Sequence, residues 1–78
     1  MDTRHHRNRA GLAAQVPPAA FTVPEFCSAH RISRALFYIM ARDGRGPAIF
    51  KCGRRTLISI EAANDWRRRM EAKSEAAQ

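Results

Sequence analysis

Two stretches of this chain carry helical patterning, and almost nothing separates them. Thr22, followed three residues later by Glu25, has the pattern of a capping box, and Pro24 falls in the first turn, where a missing N–H costs nothing. Val23, Phe26, Cys27 and His30 then recur at helical spacing, which predicts a first helix over residues 23–30. Ser33 is the next N-cap candidate and Gly44 the next C-cap candidate, so a second helix is expected between them. Only Arg31 and Ile32 lie between His30 and Ser33. A link that short forces a sharp crossing, which is helix-turn-helix geometry.

The period changes after "DGRGP". "AIFK" and "TLIS" are short, rich in β-formers and separated by "CGRR", so a hairpin is expected with Gly53 leading a two-residue type II′ turn. That turn pairs Cys52 with Arg55, Lys51 with Thr56, Phe50 with Leu57 and Ile49 with Ile58. The apolar pairs are then expected at the hairpin base against the helices, and the basic residues at its exposed tip. Ser59 caps a third helix in which Ala63, Trp66 and Met70 recur at i, i+3 and i+7, with Arg67, Arg68 and Arg69 near its C-terminal end. Trp66, the only Trp, is expected to close the core. The expected fold class is mainly α with a small β-hairpin: helix, turn, helix, hairpin wing, helix. The folded domain is expected over residues 21–71, between a flexible basic arm at 1–20 and a frayed tail at 72–78.

Composition limits what such a domain can do. Fourteen Lys and Arg stand against seven Asp and Glu, a net charge of +7, and lysine occurs only at Lys51 and Lys73. The arginine fork suits phosphates and guanine edges, so an anionic polymer is the expected partner. No apolar run reaches the roughly 20 residues that span a bilayer, the N-terminus lacks the apolar core of a secretory signal, and two cysteines make no disulfide framework. A cytoplasmic protein without membrane association is expected. Paired carboxylates, a glycine-rich phosphate loop and a supported nucleophile–His–acid set are all missing, so neither an enzyme nor a small-molecule ligand is expected. Cys27 and His30 do sit at a metal-ligand spacing. A structural zinc needs four ligands, however, and the further candidates are Cys52 and the arm residues His5 and His6. A core cysteine beside a partly exposed histidine is the expected arrangement, with no metal and no cofactor.

The charge is also segregated. Residues 31–55 hold seven basic side chains, Arg31, Arg34, Arg42, Arg45, Lys51, Arg54 and Arg55, and one acid, Asp43. With Phe37 taken as the buried direction and about 100° per residue, Ser33, Met40, Ala41 and Gly44 are expected to point inward on the second helix. Ala35, Tyr38, Ile39 and Arg42 then point outward, with Arg34 on the flank. That outward face suits a DNA major groove: arginine for guanine or phosphate, apolar groups for thymine methyls, tyrosine for phosphate. An alternative use of Leu36, Tyr38 and Ile39 is contact with another protein.

The ordered set "TVPEF", "ISRALFY", "GRGP", "KCGRRTLIS" and "EAANDW" resembles the small winged helix-turn-helix domains of the MerR-like, excisionase and AlpA-like group, over Phe21 to Met70. The resemblance implies that the second helix enters the major groove of double-stranded DNA through Ser33, Arg34, Ala35 and Tyr38, and that Lys51, Arg54 and Arg55 form the wing. The outward face of the helix adds Arg42 to the expected groove residues, and the charge pattern adds Arg31 and Arg45 as expected phosphate contacts. Ile39 stands where this group often has a polar or basic residue. MerR regulators proper continue into a dimerisation helix that this sequence lacks, which directs the expectation to the excisionase type. Such proteins bind near the attachment site of a phage or mobile element in a bacterial nucleoid, bend DNA, associate with adjacent copies and bias a tyrosine or serine integrase towards excision. A small transcriptional regulator of the AlpA or MerR-like type is the alternative.

Overall fold

The structure is a computed structural model that describes residues 18–77. Along the chain run strand β1 (Ala20–Thr22), helices α1 (Val23–His30) and α2 (Arg34–Arg42), strands β2 (Phe50–Cys52) and β3 (Arg55–Ser59), and helix α3 (Ile60–Ala76). The strands form one antiparallel sheet in the order β1-β3-β2, and the whole is mainly helical.

Local chemistry sets the boundaries. At the start of α1 the Glu25 N–H donates to Thr22 Oγ1 at 3.3 Å and the Thr22 N–H donates to Glu25 Oε1 at 2.9 Å, closing the capping box. The helix ends on Arg31 in the left-handed region (φ 59°, ψ 43°). Ile32 N–H then donates to Cys27 O at 3.0 Å and Arg31 N–H to Ser28 O at 3.3 Å, a Schellman closure. Ser33 Oγ accepts from Leu36 N–H at 3.0 Å and opens α2 two residues later. The sharp turn between α1 and α2 therefore rests on an arginine at a position that favours glycine. Replacing Arg31 with Gly is expected to stabilise the fold by about 1 kcal/mol and raise the melting temperature by roughly 4–8 °C, read by circular dichroism.

The hairpin register is the expected one at Phe50–Leu57, Lys51–Thr56 and Cys52–Arg55. Gly53 has φ 63°, and Arg54 is not among the positive-φ residues, as a type II′ turn requires. The ladder stops short of the expected Ile49–Ile58 pair. Ile58 is fully buried, but Ile49 and Phe50 are about half exposed, so the apolar pairs do not all pack beneath the hairpin. Phe50, opposite Leu57, lies on the sheet face away from Ile58, and Ile49 precedes β2. A third strand also joins the sheet. β1 occupies the other edge of β3, with Ala20 opposite Ser59, Phe21 opposite Ile58 and Thr22 opposite Leu57, and Ile60 N–H donates to Ala19 O at 3.0 Å. Ile58 is thus covered from the β1 side, and the small hairpin becomes a three-stranded sheet. The ordered chain consequently reaches back into the expected 1–20 arm, to Ala19 and Ala20; the basic part of that arm, with His5 and His6, lies outside the described residues.

Val23, Phe26, Cys27, Phe37, Met40, Ile58, Ala63 and Trp66 form the core, with Phe21, Ile32, Ala62 and Met70 packed at its margin. Trp66 closes it as expected and fixes the loop after α2, because its Nε1–H donates to Arg45 O at 3.0 Å. On α2 the inward set is narrower than the sequence suggests. Met40 joins Phe37 inside, whereas Ser33, Ala41 and Gly44 are exposed. Ser33 is the N-cap, Asp43 rather than the expected Gly44 is the C-cap with Gly44 following at φ 75°, and the short helix turns only a narrow stripe towards the core. The tail expected to fray instead continues α3 through Ala76, which puts Arg67–Arg69 in mid-helix. Arg67 joins α3 to α1: its Nη1–H donates to His30 Nε2 at 2.8 Å, and its other terminal nitrogen donates to Asn64 Oδ1. A guanidinium can only donate and a carbonyl can only accept, so the His30 proton sits on Nδ1, which donates to Phe26 O at 2.8 Å.

Candidate nucleic-acid interface

The exposed face of α2 carries four of the residues picked out in the sequence. Arg34, Ala35, Tyr38 and Arg42 are all exposed, Tyr38 at 58% of its surface. Ser33 is also exposed, but its hydroxyl is already held by the Leu36 N–H, so its first role is to orient the helix. Tyr38 and Ile39 are both exposed to solvent. Tyr38 leans edge-on against Phe37, ring centroids 5.3 Å apart, so the buried ring steadies the exposed one.

Lys51, Arg54 and Arg55 are exposed around the hairpin turn. Lys51 Nζ donates to Thr56 Oγ1 directly across the strands, at 2.9 Å. This cross-strand bond, which the register alone would have placed, holds the ammonium beside β3. Tyr38 from α2 and Arg55 and Thr56 from β3 line one hollow of about 280 Å³, whose far wall is the Thr22–Pro24 entry to α1. Two segments about 20 residues apart in sequence thus present a phenol and a guanidinium to the same space. The participation of Thr22 and Thr56 was not among the sequence expectations, since neither is charged.

Electrostatics divides the cations into two groups. Asp43 at the end of α2 pairs with Arg45 at 3.1 Å and lies 3.8 Å from Arg42, so those two arginines share one carboxylate. Arg31, Arg34, Arg54 and Arg55 form no ion pair among the described residues. Burial pushes the Cys27 thiol up, and the Arg34 guanidinium pulls it part of the way back. Cys27 is buried and Cys52 exposed, and both are free thiols. Both His30 ring nitrogens are engaged, by Phe26 O and by Arg67, and no group of three or more His, Cys, Asp or Glu able to hold a metal occurs among the described residues. No described helix is long and apolar enough to cross a membrane. Compared with known proteins, the chain matches no family model, no curated protein and no solved structure.

Proposed function

We propose that the chain is a winged helix-turn-helix protein that binds double-stranded DNA sequence-specifically, with α2 in the major groove and the β2–β3 hairpin as the wing. The observation that carries this reading is the shared hollow: Tyr38 of α2 and Arg55 of β3 line one space, so helix and hairpin form a continuous face on which acids are scarce. The three-residue turn geometry at Arg31, the β1-β3-β2 strand order and the exposure of Arg34 and Arg54 agree with it. Phosphate neutralisation supplies affinity and base contacts set register.

Two substitutions test the docking. Arg34→Ala is expected to cost about 1–3 kcal/mol on the preferred site and to relax sequence preference, because a bidentate base contact is lost. Arg55→Ala is expected to weaken all sequences alike and to lower the salt slope by about one. Fluorescence anisotropy on matched and shuffled duplexes separates the two; equal affinities for wild type and both variants would rule the docking out. Within this reading, the specific role we infer is that of an excisionase-type directionality factor that bends DNA near an attachment site and biases an integrase towards excision. That role rests on the sequence resemblance, and an excision assay in cells with the gene deleted decides it. Loss of excision supports the role, whereas unchanged excision with altered transcription assigns the small-regulator role instead.

A further inference from the structure

A second surface lies between the C-terminal half of α3 and the loop after α2. Beyond Trp66, α3 continues past the core, and every residue from Glu71 to Ala77 is exposed. Isolated helical turns without packing are marginal in water, so an exposed extension of this kind gains little by itself. Between this extension and the loop after α2 runs a groove of about 420 Å³, lined by Arg45, Arg69, Met70, Ala72, Lys73 and Ala76. Its floor is apolar and its rim is cationic, and no acidic residue lines it. Arg45 aside, none of these residues belongs to the DNA-reading set.

The wall of the groove is fixed. Trp66 Nε1–H holds Arg45 O at 3.0 Å, and Arg69 Nη2–H reaches Gly46 O at 3.5 Å, so the loop is tied to α3 at two places. Arg69 Nε also donates to Asp65 Oδ2 at 3.1 Å and Arg45 is held by Asp43 at 3.1 Å, which positions both forks with further N–H groups to spare. Lys73 forms no ion pair among the described residues. A bare phosphate backbone has no use for the Met70, Ala72 and Ala76 floor. An amphipathic helix satisfies both features at once, with aliphatic side chains on the floor and carboxylates against the rim.

We propose that this groove is a docking site for an acidic amphipathic helix of a partner protein. The inference goes beyond the DNA reading and does not depend on it. Apart from Arg45, the groove and the hollow between α2 and the hairpin share no lining residue or proposed DNA contact.

The test uses the full chain, labelled with nitrogen-15. It is titrated with a synthetic peptide bearing leucines at helical i, i+3, i+4 and i+7 spacing, flanked by glutamates. The same peptide with each glutamate replaced by lysine serves as the comparison. The expected result is that the glutamate peptide moves the amide signals of Gly44, Arg45 and the Met70–Ala76 turns, and that the lysine peptide binds roughly tenfold or more weakly. Ala72→Glu and Lys73→Glu, both at exposed positions and both keeping a good helix former, are each expected to weaken the peptide by roughly tenfold while the circular dichroism spectrum stays unchanged. Equal binding of the two peptides, absence of binding, or signal changes confined to other residues would overturn the proposal. So would displacement of the peptide by a short duplex that moves the Met70–Ala76 signals, or sedimentation showing that copies of the chain pair through these residues. Because duplex binding is measured separately through Arg34 and Arg55, failure at the groove is distinguishable from failure of the DNA reading.

Discussion

Raising monovalent salt from about 50 to about 200 mM is expected to weaken binding of this chain to its duplex site by roughly 500-fold. Arg31, Arg34, Lys51, Arg54 and Arg55 are the exposed cations on the α2–hairpin face that no carboxylate engages among the described residues. If each neutralises one phosphate, the slope of log affinity against log salt is about −4.5, which gives that loss over a fourfold rise. Arg42 and Arg45 are discounted because they share Asp43. The discount is itself testable. In Asp43→Asn both guanidinium groups become free, so the slope is expected to steepen towards about −6. An exposed ion pair contributes at most about 1 kcal/mol to folding, so the fold survives the change. Anisotropy titrations at four or more salt concentrations measure both slopes. A flat dependence in wild type would remove DNA as the partner and return the exposed Leu36, Tyr38 and Ile39 to the protein-contact reading.

The parts of the molecule that were legible in the sequence are those fixed by short-range chemistry. Thr22, Glu25 and Pro24 announced the start of α1, Ser33 and Ser59 the next two helices, and the two-residue turn at Gly53 set the hairpin register to the residue. What escaped depended on contacts between distant segments. β1 is three residues long and exists because Phe21 and Thr22 find β3 some 36 residues on, a pairing that no local pattern encodes. The exposure of Phe50 follows from the pleat: opposite Leu57, it lies on the sheet face away from the buried Ile58. The end of α3 was placed too early because Ala72–Ala77 has no apolar period, although alanine, glutamate and lysine are strong helix formers. For the candidate site, the cations were visible by type. The pairing of Arg42 and Arg45 with Asp43 and the meeting of Tyr38 with Arg55 needed three dimensions.

Truncating Phe26 to Ala is expected to cost about 3–5 kcal/mol. Phe26 has no exposed surface. Its ring stacks on His30 with centroids 4.1 Å apart and meets the edges of Phe21 at 6.0 Å, Phe37 at 5.6 Å and Trp66 at 5.2 Å. One side chain from α1 therefore touches β1, α2 and α3 together, and removing it leaves a cavity that three elements would have to close at once. A domain of the 60 described residues has about 3–9 kcal/mol of stability to lose, so Phe26→Ala is expected to remove a large share of it and to lower the melting transition steeply. Phe26→Leu keeps most of the volume, and a cost of about 1.5 kcal/mol should leave a cooperative transition lowered by roughly 6–12 °C. Both are read by thermal circular dichroism. The Phe26–Phe37 contact is also what sets α2 against α1, so the surviving Leu variant tests whether the helix angle matters for recognition. Its affinity for a matched duplex should fall more than its affinity for a shuffled one, because phosphate contacts tolerate a small tilt of α2 and base-edge contacts do not. Equal losses on both duplexes would mean that α2 contributes charge to the interface and no sequence readout.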